Sequence, residues 1–94
     1  MLIDSFVWLP AVVDKLATKH AVMPQEVESV YFGRVRYRFH EKGRVRGEDM
    51  YTAMGQTDSG RYLIVFFLVR QNNEALIVSA RDMTDGERRR YEQK

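Results

Sequence analysis

Cysteine is absent from this 94-residue chain, and proline occurs only twice. Without cysteine, disulfide bonds and thiolate metal sites are excluded. The chain also lacks a phosphate-binding loop, a dinucleotide-binding motif, zinc-ligand spacing and a serine nucleophile elbow. We therefore expect no metal and no cofactor, so any catalysis must depend on ordinary polar and charged side chains.

Long apolar runs are missing too. The longest, Leu63 to Val69, is far too short to span a bilayer, and Asp4 stands where a signal peptide would carry basic residues. The length suits one domain over residues 1–94. We expect a single cytoplasmic domain that does not bind membranes.

Charge is distributed unevenly along the chain. Residues 1–33 carry two lysines against four acidic residues, whereas residues 34–94 carry 13 basic residues, 11 of them arginine, against nine acidic ones. Arginine presents a planar fork that can bind two phosphate oxygens at once. The basic part indicates a polyanionic or acidic partner. The alternative is an arginine-rich surface without a partner.

Hydrophobic spacing is helical before Arg34 and alternating after it. It predicts one helix that begins at Pro10 and a second that runs from Pro24 to a stop at Gly33. The alternation and the turns predict four strands, at residues 34–40, 45–57, 61–70 and 75–81. Residues 3–8 could add a short first strand.

A helix-start signal follows the last predicted strand. Thr84 and Glu87 have the spacing of a capping box, in which each side chain accepts a hydrogen bond from the other residue's backbone. The chain therefore predicts an α+β fold, with two N-terminal helices, a four-stranded antiparallel meander and a C-terminal helix.

Arg61 and Arg81 lie near the ends of the last two predicted strands. Counting outward from the turn at residues 71–74 predicts that they lie almost opposite each other, close to the start of the last helix. Two like charges side by side favour an anion between them, so we interpret the pair as a phosphate site. The alternative is that each arginine forms a salt bridge, with Asp58, Asp82 or Glu87 as the partner.

Several segments resemble the BrnT toxins of bacterial toxin–antitoxin systems, which belong to the wider RelE-like group of small ribonucleases. The most specific is IVSARDMTDGERRRYE at 77–92; the others are FVW at 6–8, KHAV at 19–22, GED at 47–49 and AMGQTDSGRYLIVFF at 53–67. The resemblance implies a RelE-like fold and metal-independent RNA cleavage that arrests translation. It also implies a BrnA-like antitoxin with a ribbon-helix-helix domain, through which alone the toxin would reach DNA.

By position, the resemblance implies four catalytic residues: Glu48, Arg61, Arg81 and Tyr91. It also places the family's glutamate–arginine pair of the last helix at Glu87 and Arg88. Glu48 would be the general base and the arginines would stabilise the phosphorane. Tyr91 would orient a reacting group or donate a proton. Yet the turn register places Glu48 opposite Val69, at the far end of the sheet from Arg81.

Four further residues are predicted to bind RNA: Arg38, His40, Arg46 and Arg88. For His40, contact with the RNA backbone is favoured over proton transfer. The family often has an arginine two residues after the glutamate, whereas this chain has Met50, and Arg46 could substitute for it.

Two other functions remain open. The loss of the arginine at Met50 would suit a nucleic-acid-binding module without catalysis. A basic face could instead bind an acidic peptide, as in a protein-interaction domain.

Overall fold

The computed structural model describes residues 1–93, and a five-stranded sheet forms its centre. Its strands lie in the order β1-β5-β4-β3-β2, with the bounds β1 (Ser5–Val7), β2 (Arg36–Glu41), β3 (Met50–Gln56), β4 (Tyr62–Arg70) and β5 (Glu74–Asp82). Strands β2 to β5 form the predicted antiparallel meander, and the short β1 pairs in parallel with β5. With helices α1 (Pro10–His20), α2 (Pro24–Phe32) and α3 (Asp85–Glu92), the predicted α+β fold is confirmed.

Helices α1 and α2 both begin with proline, whose fixed φ suits the first helical turn. Helix α1 ends where Ala21 adopts a left-handed φ of 52° and the Val22 N–H donates to the Leu16 carbonyl at 3.0 Å. No helix of residues 1–93 is both long enough and apolar enough to cross a membrane.

One face of the sheet packs against α1 and α2. Because side chains alternate along a strand, the paired residues Ala53, Val65 and Ala80 all point to this face, where they are buried. Leu16 of α1 and Val27 of α2 pack in the same cluster. This is the larger hydrophobic core.

Helix α3 crosses one end of the opposite face. Tyr91 packs against Met54 and Ile64, and its hydroxyl donates to the Arg34 carbonyl at 2.6 Å. Near the end of α3, the Gln93 carbonyl accepts a hydrogen bond from Arg36 of β2. The helix therefore covers only part of this face and leaves the rest open.

Two β-bulges interrupt the sheet at the level of this open part. In β2 the register shifts between Phe39 and Glu41, so His40 is the additional residue. In β5 it shifts opposite Phe66 and Phe67, where Val78 is the additional residue. Bulges change the direction of neighbouring side chains and are common beside active sites.

Strand β3 begins at Met50, not near residue 45 as predicted, because residues 42–49 form a closed loop. The Gly43 N–H donates to Asp49 at 2.9 Å, and the Glu48 N–H donates to the Val45 carbonyl at 3.1 Å. A Cβ on Gly43 would lie 2.4 Å from the Glu48 carbonyl oxygen, so the loop can close only with glycine there.

Candidate active site

The register of β4 and β5 separates Arg61 from Arg81. Arg81 pairs with Ile64, three residues beyond Arg61, and an odd separation places two side chains on opposite faces of a sheet. The prediction that the two arginines lie side by side around one phosphate is therefore wrong. The alternative pairing is found instead, because Arg61 forms a salt bridge with Asp82 and Arg81 forms one with Glu87.

Arg61 lies on the helix-covered face and is held by several protein groups. Its guanidinium donates to Asp82 at 2.6 Å, to the His20 carbonyl at 2.8 Å and to the Ala21 carbonyl at 2.7 Å, with Glu26 at 3.4 Å. The hydrogen bond from Arg61 lowers the pKa of Asp82. Since these contacts connect the end of α1 to β5 and leave few free donors, we do not include Arg61 in the candidate site.

Arg81 lies on the open face in a different setting. Its two terminal nitrogens donate to the two Glu87 carboxylate oxygens at 2.7 and 3.0 Å, and the guanidinium carbon lies 5.6 Å from the centre of the Phe66 ring. The Arg81 side chain is 35% exposed, whereas that of Glu87 is 13% exposed. The Arg81 side chain is therefore more exposed to solvent than the carboxylate that it binds.

Glu87 also caps α3, as the capping box predicted. Its carboxylate accepts from the Thr84 N–H at 2.9 Å, and its own N–H donates to the Thr84 hydroxyl at 3.1 Å. The hydrogen bonds from Arg81 are the main cause that lowers the Glu87 pKa from 4.5 to about 2. The carboxylate is therefore ionised at neutral pH and held in one place.

A cleft of about 410 Å³ opens beside this pair, and we call it the arginine cleft. Strand β2 forms one wall, the middle strands form the floor, and β5 with α3 forms the other wall; the lining residues are Arg38, Phe39, His40, Thr52, Met54, Ile64, Phe66, Arg81, Glu87 and Arg90. Three of them are arginines, and the one carboxylate is already paired. This arrangement suits an anion lying over an aromatic floor.

Two of the predicted RNA-binding residues, Arg38 and His40, line the arginine cleft. Arg46 lines a separate hollow in the loop 42–49, and Glu48 is an exposed residue of that loop. The structure thus leaves the predicted general base outside the cleft. The expected position opposite Val69 also fails, because Glu48 precedes the paired residues of β3.

The predicted residues of α3 do not reach the arginine cleft either. Arg88 lies over the Tyr62 ring at 3.9 Å, with its Nε 3.6 Å from Glu92. Tyr91 is buried, and its hydroxyl is engaged by the Arg34 carbonyl. Both positions favour structural roles in attaching α3 to the sheet.

Arg90 and Phe66 were not predicted as site residues from the sequence, whereas Glu87 was carried over by the resemblance without a catalytic role. Arg90 follows Glu87 by three positions, and this spacing puts both side chains on one face of a helix. The spacing alone therefore predicts that Arg90 lies near Glu87. Phe66 lies in a strand that is apolar on both faces, so nothing in the sequence distinguishes it from core residues. Within residues 1–93, no group of three or more histidine, aspartate or glutamate side chains is placed to hold a metal ion.

Comparison with known families supports the sequence resemblance. A family model described as the ribonuclease toxin BrnT of type II toxin–antitoxin systems matches residues 8–87, which include most of the arginine cleft. Comparison with curated proteins found no match.

Proposed function

The chain belongs to the BrnT family of ribonuclease toxins of type II toxin–antitoxin systems, and we propose that it cleaves RNA in the arginine cleft. The supporting observation is the convergence of Arg38, Arg81 and Arg90 on one open cleft with an aromatic floor. The proposed activity is that of a metal-independent endoribonuclease, which acts in the cytoplasm and arrests translation.

A type II system implies an antitoxin partner. We propose that this partner is BrnA-like and carries a ribbon-helix-helix domain. In this proposal the toxin contacts DNA only through the antitoxin.

Arg81 is the proposed phosphate-binding residue. It presents two N–H groups to the two oxygens of Glu87, and a phosphodiester offers two oxygens with similar geometry. An RNA phosphate can therefore take the place of Glu87 on the same guanidinium. Because arginine keeps its charge at all working pH values, it can stabilise the negative charge that develops on the phosphorane.

Glu87 is the proposed general base, in place of Glu48. After the exchange, its carboxylate keeps the hydrogen bond from the Thr84 N–H and stays beside the bound phosphate. The loss of Arg81 as a partner removes the main cause that lowers the Glu87 pKa, which makes the carboxylate a stronger base. It can then accept the proton of the 2′-hydroxyl that attacks the adjacent phosphorus.

Phe66 is the proposed contact for a nucleobase. Its ring forms part of the floor of the cleft and lies next to Arg81 and His40. Unpaired bases stack on aromatic rings, whereas bases within a duplex do not. The substrate is therefore expected to be single-stranded at the cleaved linkage.

Labelled RNA and purified protein, in the presence of a chelator, test this function. The wild type should cleave the RNA, and Arg81→Ala should be slower by roughly 100- to 1,000-fold, the usual cost of losing one electrostatic stabiliser. Arg89→Ala is the matched control, because Arg89 is exposed on the same helix and does not line the cleft. Equal rates for Arg81→Ala and the control would contradict the proposal.

A nucleic-acid-binding module without catalysis is the second candidate, and the position of Met50 favours it. By strand alternation Met50 shares the open face with Thr52 and Met54, which line the cleft. An arginine there would add a cation to this face, whereas methionine offers a phosphate no charge.

The same assay distinguishes the two candidates. Salt-sensitive RNA binding without cleavage by the wild type would favour the second. Cleavage gained by Met50→Arg would then show that one missing contact had caused the loss.

A further inference from the structure

His40 occupies an unusual place in the sheet. It is the additional residue of the bulge in β2, and it lines the arginine cleft. Its ring lies edge-on to Phe66, with the ring centres 5.2 Å apart and the planes at 72°. Its imidazole makes no hydrogen bond to another group of residues 1–93, so both ring nitrogens are available to a ligand.

His40 and Glu87 lie on opposite walls of the cleft. His40 belongs to the edge strand β2, whereas Glu87 belongs to α3 and is paired with Arg81 of β5. Strands β3 and β4 lie between these walls and provide the floor. A phosphate on Arg81 with its base over Phe66 would therefore have one of these side chains on each side.

Displacement at phosphorus requires this kind of arrangement. The attacking and leaving oxygens lie roughly in line, on opposite sides of the phosphorus atom. The group that removes a proton from one and the group that gives a proton to the other must also lie on opposite sides.

Of the residues that line the cleft, His40 alone carries an imidazole, the side chain that most often transfers protons in catalysis. The three arginines keep their protons. The remaining candidates lie elsewhere, since Glu48 is in the loop 42–49 and the Tyr91 hydroxyl donates to the Arg34 carbonyl.

We infer that His40 is the general acid of the cleavage reaction and acts across the cleft from Glu87; this inference rests on the proposed function. The 2′-hydroxyl proton passes to the Glu87 carboxylate while the bond from O2′ to phosphorus forms. The bond from phosphorus to O5′ breaks with its electron pair on O5′, which takes the proton of the His40 imidazolium. The products are a 2′,3′-cyclic phosphate and a 5′-hydroxyl, and both side chains then exchange protons with water.

A change of leaving group tests this role. In one RNA, sulfur replaces the bridging 5′-oxygen at the cleaved linkage, and a thiolate leaves without needing a proton. On ordinary RNA, His40→Ala should be slower than the wild type by about 100- to 10,000-fold, the range for general acid catalysis. On the sulfur-containing RNA it should match the wild type.

The pH dependence gives a second readout. Cleavage of ordinary RNA by the wild type should fall at high pH, because a general acid must carry a proton to act, and cleavage of the sulfur-containing RNA should not. The charged groups that line the cleft with His40 are Arg38 on its own strand, Arg81 on β5, and Glu87 and Arg90 on α3, and the adjacent Glu41 pairs with Met50 on the same face. The cleft residues of β3 and β4 are uncharged.

His20→Gln is the matched control, since His20 ends α1 and does not line the cleft, and it should behave as the wild type on both RNAs. His40→Asn provides a second variant at the exposed site and should behave as His40→Ala.

Two results would overturn the inference. His40 variants that cleave ordinary RNA at the wild-type rate would exclude a catalytic role. Variants that are equally slow on both RNAs would show that His40 only positions the substrate. In either case, cleavage by the wild type would still support the proposed function. A wild type that cleaves neither RNA would contradict both the proposed function and the inference about His40.

Discussion

Two arginine–carboxylate pairs involve neighbouring residues of β5. They consist of the same chemical groups but have different surroundings. Asp82 points to the helix-covered face and binds Arg61, which also binds the carbonyls that end α1. Arg81 points to the open face and, among residues 1–93, binds Glu87 and the Asp82 carbonyl beside the arginine cleft. The first pair connects α1 to β5, whereas we propose that in the second pair a phosphate takes the place of the carboxylate.

The comparison shows that an ion pair by itself does not reveal its function. Both pairs lower the pKa of their carboxylates, and both arginines are partly exposed. What differs is the remaining surroundings of each guanidinium. Two main-chain carbonyls hold Arg61 in addition to its carboxylate partner, whereas an aromatic ring and an open cleft surround Arg81.

The largest expected effect is a difference in stability between the alanine variants of the two arginines. Arg61→Ala removes hydrogen bonds from a charged donor to four protein groups, so we expect a loss of about 2 to 3 kcal/mol in the free energy of unfolding. For a domain of this size that lowers Tm by roughly 10–20 °C. Arg81→Ala should cost only about 1 kcal/mol, because Glu87 keeps the hydrogen bond from Thr84. Thermal unfolding followed by circular dichroism measures both.

Arg70→Ala serves as the control for removing an exposed arginine from the sheet, and its Tm should stay near that of the wild type. If Arg81→Ala were as destabilising as Arg61→Ala, the open-face pair would also be structural. The distinction between the two pairs would then be lost.

The next effect concerns acid stability. The folded-state pKa of Glu87 is lowered to about 2 from 4.5, so this group contributes stability above pH 4.5 that is lost as the pH falls towards 2. Glu87→Gln keeps an oxygen to cap α3 but cannot titrate. Its unfolding free energy should therefore depend less steeply on pH in this window than that of the wild type. Urea unfolding at several pH values gives the slopes.

Asp82 still titrates in Glu87→Gln, since its pKa is lowered by Arg61 on the other face, so some acid dependence should remain. Asp14→Asn, which removes an exposed carboxylate from α1, should keep the wild-type slope. A Glu87→Gln slope equal to that of the wild type would mean that Arg81 and Glu87 are not coupled in solution.

The smallest effect compares two adjacent arginines of α3. Arg90 lines the arginine cleft and Arg89 does not. If RNA occupies the cleft, Arg90→Ala should lower the slope of log Kd against log salt by about 1, whereas Arg89→Ala should leave it nearly unchanged. Binding measured at several salt concentrations decides this, and equal slopes for the two variants would place the RNA elsewhere.

Much of the fold could be predicted from local patterns. Pro10 and Pro24 mark helix starts, Thr84 and Glu87 form a cap, and alternation marks the strands; all of these depend on residues close together in the chain. The start of β3 was misplaced because closure of the loop 42–49 depends on contact between Gly43 and Glu48, which alternation does not reveal.

The candidate site was less predictable, because it depends on which side chains share a face. Arg38 and His40 were found from their strand, but Arg90 and Phe66 belong to the site only because α3 covers one end of the open face.

The sequence by itself determined the elements, the family resemblance, the cap of α3 and the choice of carboxylates that the two arginines could bind. The tertiary structure alone decided that Arg61 and Arg81 face opposite sides of the sheet and that His40 faces the arginine cleft. The physical reason is that a shift of one residue in strand pairing reverses the face of every side chain beyond it. Register and bulges are set by long-range packing, so they could be seen only in the folded chain.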